Sequence, residues 1–278
     1  MTLWLCGELR LACSIINKDM AEKRFAKKGG NVGQIIEVIQ RYEIPDIPNI
    51  DLPTEDGEPL ESNWHRLQIN LLDDLVRQHW RDRQDFFAGG NMFVYYSLQQ
   101  ARNRDYKGPD FFIVKGVDGS YARDKWVVWE ENGRLPDIIV ELMSPSTLDE
   151  DLGNKRKLYE RTFRTPEYFC YDPEHQQLLG WRLGANGYVR SKADKRGWLW
   201  SAEADAYIGL WIGDYHQTNA TWLRLFDKAG QLIPTAAEAG YVLAEAERQR
   251  AEAERQRADT AEAELARLRA ELARLKGE

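Results

Sequence analysis

Four charged side chains stand out because each lies beside a stretch that reads as strand or helix: Asp110, Glu141, Asp151 and Lys155. Asp110 ends a Gly108-Pro109-Asp110 turn that opens the apolar run Phe111-Phe112-Ile113-Val114, and Glu141 lies late in a second run, Ile138-Ile139-Val140-Glu141-Leu142-Met143. Asp151 and Lys155 follow in a helical segment. Carboxylates at strand ends with a lysine close behind suit the hydrolysis of a phosphodiester. That reaction needs a nucleophilic water, neutralised charge in the transition state and help for the leaving oxygen, and divalent ions can serve all three. Mg²⁺ takes hard oxygen ligands, usually one or two carboxylates, and keeps several waters. Asp110 starts its strand and Glu141 ends its own, so antiparallel pairing would bring the two together. Each residue also has an ordinary alternative. Asp after Gly-Pro is a common turn residue, a strand-end Glu is often exposed, and Lys155 could simply pair with Asp151 one helical turn away. Glu141 is the most telling of the set, because its neighbours Val140, Leu142 and Met143 are apolar. Burial there raises its pKa unless a cation pairs with it.

The elements that must position these residues can be read along the chain. Residues 1–61 look irregular, broken by Gly29-Gly30 and by prolines from Pro45 to Pro59, and Met20 is an alternative start to Met1. Ser62-Asn63-Trp64 caps a helix whose apolar positions Leu67, Leu71, Leu75 and Trp80 recur at helical spacing through about Arg83. Strands are expected over 91–97 and 110–115. A hairpin is expected between 125–131 and 135–143, across Asn132-Gly133. A helix follows over about 148–163, then a strand over 166–173, and then a hairpin of 178–183 with 187–191. Residues 197–226, rich in tryptophan (Trp198, Trp200, Trp211, Trp222), read as further strands packing on the body. Helix, several strands, helix and strand in that order make a mixed α/β fold, with one domain expected over 62–243.

The tail from Ala244 to Glu278 is different. AEAERQR occurs twice in succession from Ala244, and Ala244, Ala251, Ala258, Leu265 and Leu272 fall seven apart with Ala261, Leu268 and Leu275 as companions. That is a heptad pattern. Its first half has Glu247 and Glu254 where apolar residues belong, so the tail is expected to be either a solvated single helix or a weak homodimer contact.

The 278-residue chain carries a net charge of -7, and with nine acidic and eight basic residues from Ala244 on, nearly all of that excess lies on the body. Bulk electrostatics therefore disfavour nucleic acid. Phosphate binding would fall to local clusters, Lys155 to Arg164 and Arg190 to Arg196, or to bound cations. Three cysteines without ligand spacing or a disulfide framework point to the reducing cytoplasm. No run reaches the roughly 18 apolar residues of a membrane span. The four histidines lack HxH or HExxH spacing, and Ser144 and Ser146 lack a G-x-S-x-G context, which argues against zinc and serine hydrolases.

Several ordered blocks carry a resemblance. They are Gly108-Pro109-Asp110; Pro136-Asp137-Ile138-Ile139-Val140-Glu141-Leu142-Met143-Ser144-Pro145-Ser146-Thr147; Asp151, Lys155 and Tyr159 four apart; and Pro166-Glu167-Tyr168 followed by Asp172-Pro173. Over about residues 62–190 the chain resembles the Uma-type restriction endonucleases of the PD-(D/E)XK nuclease superfamily. The resemblance implies a restriction-endonuclease-like mixed sheet flanked by helices, dependence on Mg²⁺ (or Mn²⁺) and DNA as substrate. By it, Asp110 and Glu141 are the metal-binding acids. The superfamily's lysine, two residues after the second acid, is replaced here by Met143, and the family pattern offers Lys155 on the following helix instead. The resemblance thus implies Asp110, Glu141 and Lys155 as the catalytic set. The other reading is a catalytically inactive nuclease fold that binds or scaffolds, and RNA is an alternative substrate. Where Lys155 points separates the first two.

Overall fold

The computed structural model describes residues 52–53, 62–105 and 107–277. Apart from Leu52 and Pro53, the irregular segment expected over 1–61 lies outside the described residues. Helix α1 (Asn63–His79) starts where the sequence places it: Ser62, in extended backbone, accepts a hydrogen bond from His65 N on its hydroxyl. Leu67, Leu71, Leu75 and Trp80 are all buried, as the helical spacing requires. The helix ends at His79, short of Arg83.

Six strands form the central sheet: β1 (Phe86–Gly90), β3 (Phe111–Lys115), β5 (Ile138–Leu142), β6 (Glu167–Asp172), β7 (Gln177–Gly184) and β8 (Gly187–Arg190), in the order β1-β3-β5-β6-β7-β8. All neighbours are antiparallel except β5 and β6, which run parallel. A parallel pair needs a crossover. Here that crossover is helix α3, over residues 148–163, which alternates α-helical (Leu148–Glu150, Arg156–Leu158) with π-helical turns (Asp151–Lys155, Tyr159–Phe163). One sheet face packs Ile138, Val140 and Leu142 against α1 and against a second sheet of β9 (Leu199–Ser201), β10 (Ala206–Tyr215) and β11 (Thr218–Phe226). The other face packs Phe112, Ile139 and Met143 with Tyr159 and Phe163 of α3. The mixed α/β architecture read from the sequence is the one observed.

Three local expectations are corrected. The hairpin across Asn132-Gly133 does not form. β4 (Trp126–Val127) pairs in parallel with β2 (Val94–Tyr95), and β5 pairs with β3 and β6. Asn132 and Gly133 do adopt positive φ, but they close a helical turn in which Gly133 N donates to Val128 O. Left-handed residues serve a helix end as readily as a hairpin turn. The strand expected over 91–97 shrinks to β2, and helix α2 (Leu98–Arg102) follows it. β1 lies where no strand was expected, with Gly89-Gly90 as its C-terminal end.

That glycine pair has a packing reason. A Cβ on Gly90 would collide with the carbonyl oxygen of Asp110 and with Ile69 Cγ2, and Asn91 N donates to the same carbonyl at 3.0 Å. The last helix, α4 (Ala236–Lys276), begins earlier than the heptad pattern, at a Thr235–Glu238 capping box. Glu238 also receives both guanidinium ends of the buried Arg224 of β11, at 2.7 and 3.0 Å.

Overpacking at Gly90 is expected to displace the Asp110 backbone. Gly90→Ala should lower stability by about 1–3 kcal/mol in denaturant unfolding. Gly153→Ala, in α3 with open space around its Cβ, should be neutral or stabilising by up to about 1 kcal/mol.

Candidate active site

Alternation along two strands sets the site. The register pairs Phe111 with Val140 and Phe112 with Ile139, so Asp110 falls opposite Glu141, and both share the face of Phe112 and Ile139. The two acids brace each other's strands. Asp110 N donates to Glu141 Oε2 at 3.2 Å, and Leu142 N donates to Asp110 Oδ2 at 2.7 Å.

Helix α3 supplies the rest. Tyr159 OH donates to Glu141 Oε1 at 2.7 Å. Lys155 Nζ stands 3.2 Å from Glu141 Oε2 and 2.9 Å from Asp151 Oδ1. Residues four apart drift by about 40° per step on an α-helix. The wider π turns offset that drift and keep Asp151, Lys155 and Tyr159 in one line over Glu141. Tyr168 OH donates to Asp151 O at 2.8 Å and ties the helix to β6.

The site is short of positive charge. Glu141 is fully buried, Asp151 is 1% exposed, and one ammonium serves them both together with Asp110. Burial pushes Glu141 up to about 7, with Asp110 adding to the rise and Lys155 opposing it. Asp151 is pushed up to about 6 by burial and by the Glu141 charge. Burial also raises Asp110, against the pull of Lys155 and the Leu142 amide. For Lys155 burial favours the neutral amine, but the charges of Glu141, Asp151 and Asp110 outweigh it and hold the pKa above the ordinary lysine value. The three carboxylates therefore favour the charged ammonium.

Asp110, Glu141, Asp151 and Lys155 are thus brought to one place. Met143, two residues beyond Glu141 on the same face, is a buried core residue. Lys155 reaches the carboxylate from the helix instead. Sequence reasoning put Tyr159 on the Lys155 face but gave it no part in the site, although the four-residue spacing was the signal available.

Among the described residues no three His, Cys, Asp or Glu side chains form a ready cage for a metal ion. Asp110 and Glu141 carry the hard carboxylate oxygens that Mg²⁺ takes as ligands. Asp151, buried beside them, shares the Lys155 ammonium with Glu141.

The sequence profile of the Uma2 family, described as "Putative restriction endonuclease", matches residues 38–215. The chain belongs to the Uma2 family. No curated protein matches it. Among solved structures, a putative nuclease belonging to DUF820 from Anabaena variabilis is similar at 12% identity and a TM-score of 0.39, over 54% of this chain and 81% of that one. The Uma2 match takes in β1 to β10, so it contains every residue of the site. Among the described residues no helix is long and apolar enough to cross a membrane.

The raised carboxyl pKa has a stability consequence of definite sign. A proton held on Glu141 up to about pH 7 in the folded state, but only to about 4.5 when unfolded, stabilises the fold below that range. The stability is lost as pH rises from about 4.5 through 7. In metal-free buffer, stability should fall over that window by on the order of 1 kcal/mol per pH unit. Glu141→Gln should flatten the decline in urea titrations.

Proposed function

We propose that this chain is a divalent-metal-dependent endonuclease that hydrolyses phosphodiester bonds in DNA. One observation carries the reading: the Lys155 ammonium stands 3.2 Å from the buried Glu141 carboxylate, reaching from α3 to the end of β5. Asp110 and Glu141 are the residues to hold Mg²⁺ or Mn²⁺. A bound ion would supply charge neutralisation at the scissile phosphate and a more acidic water. Lys155, held protonated by three carboxylates, stabilises negative charge developing on the phosphate oxygens. Tyr159 fixes the rotamer of Glu141 through its 2.7 Å hydrogen bond, and Asp151 orients the lysine from one turn back. The net charge of -7 makes these local charges matter more, because the body as a whole repels a polyanion.

The non-catalytic alternative drew on Met143 and on a lysine pointing away from the acids; Lys155 points at them. Supercoiled plasmid incubated with Mg²⁺ or Mn²⁺ provides the test. Glu141→Ala and Asp110→Ala should lose at least about 100-fold in cleavage rate, and Lys155→Ala about 10²–10³-fold. Tyr159→Phe, which removes only the orienting hydroxyl, should lose about tenfold. Equal cleavage by the wild type and Glu141→Ala would reject the assignment.

A further inference from the structure

Helix α4 runs for 41 residues from Ala236 to Lys276 and buries none of them. A helix that polar over most of its surface needs either ion pairs along its own length or a partner. Its leucines are exposed in the orientation a partner would use: Leu265 at 49%, Leu268 at 53%, Leu272 at 55% and Leu275 at 76%. They occupy the a and d positions of the heptad, so the neighbouring e and g positions decide what can lie alongside.

In a parallel, in-register pair, each g residue faces the e residue five places on in the partner helix. Read along this chain, Arg257 then faces Glu262, Glu264 faces Arg269, and Glu271 faces Lys276. All three contacts are attractive, and they cover the heptads that carry the leucines. One turn earlier the pattern fails: Arg250 would face Arg255, and the d positions there are Glu247 and Glu254. An antiparallel pair centred on the leucines would instead set Glu271 against Glu271 and Arg269 against Arg269. That antiparallel register keeps Glu262 against Lys276 but sets like charges at its centre, so the helix surface is most complementary to itself in the parallel orientation.

We propose that α4 zips in parallel with α4 of a second copy of this chain over residues 257–276, and that the two helices part on the N-terminal side of Arg257. This proposal is independent of the nuclease reading. Because the folded body precedes the helix, the parallel arrangement attaches both bodies at the same end. An antiparallel one would put them at opposite ends of a rod about 60 Å long. The open stretch before Arg257 gives two bodies room to lie side by side.

Sedimentation equilibrium of the full chain should show a monomer–dimer equilibrium at about 10–200 μM. The double variant Leu268→Glu/Leu272→Glu should be monomeric throughout, with the thermal unfolding of the body unchanged. Arg269→Glu alone should raise the dimer dissociation constant about tenfold or more, and Glu264→Arg/Arg269→Glu should restore it to within about threefold of wild type. Leu272→Cys should give a covalent dimer under oxidation beyond any background from the native cysteines, since identical a positions meet only in the parallel register. A wild-type chain monomeric at 200 μM, a higher oligomer, a double reversal that fails to rescue, or no Leu272→Cys cross-link would each overturn the proposal.

Discussion

A fully buried carboxylate without enough positive charge around it is the constraint on which the site depends. Glu141 is completely enclosed at the end of β5, and each of its oxygens is held. The Tyr159 hydroxyl donates to Oε1, and the Asp110 amide and the Lys155 ammonium reach Oε2. Breaking a buried ion pair from one side costs about 3–5 kcal/mol, because a charge is left uncompensated. The surrounding structure can be read as the means of keeping Lys155 in place. The β3–β5 register sets the two acids side by side, the parallel β5–β6 step requires a crossover helix, and that helix delivers lysine and tyrosine to the same carboxylate. Its π turns keep three residues four apart in line, where a regular helix would carry one of them away.

The acid pair was legible because it rests on strand alternation and on an apolar run interrupted by one charge. Lys155 was legible only as a position on the right helix face; its direction depends on how α3 lies across the sheet, which local sequence does not encode. Tyr159 was missed as a partner of Glu141 for the same reason. The Asn132-Gly133 hairpin failed because left-handed φ values identify a backbone conformation and not the element that uses it. In this chain β4 found a parallel partner in β2, far off in sequence. β1 lay where no strand was expected, and the missing side chain of Gly90 at its end is required by the close approach of the Asp110 backbone. The features that escaped sequence reading are thus those created by tertiary contact.

Position 143 shows how a charge can be supplied from a different backbone site. Met143 packs into the core on the face that bears Glu141, where its own contribution is apolar. A lysine from α3 brings the ammonium to the same carboxylate, and three acids rather than one hold it charged. The local excess of negative charge that remains is what a divalent cation would relieve, and it adds to burial, the main cause of the upward shifts of Asp110, Glu141 and Asp151.

The cation site proposed at Asp110 and Glu141 can be tested without any nuclease assay. Its most direct measure is Mn²⁺ binding near pH 7, followed by the electron paramagnetic resonance signal of the free ion together with the protons released. The wild type should bind Mn²⁺ and release protons, since Glu141 holds its proton up to about 7 and a ligand carboxylate must give it up. Glu141→Gln should lose both the binding and the release. Equal Mn²⁺ affinity in the two proteins would contradict the account.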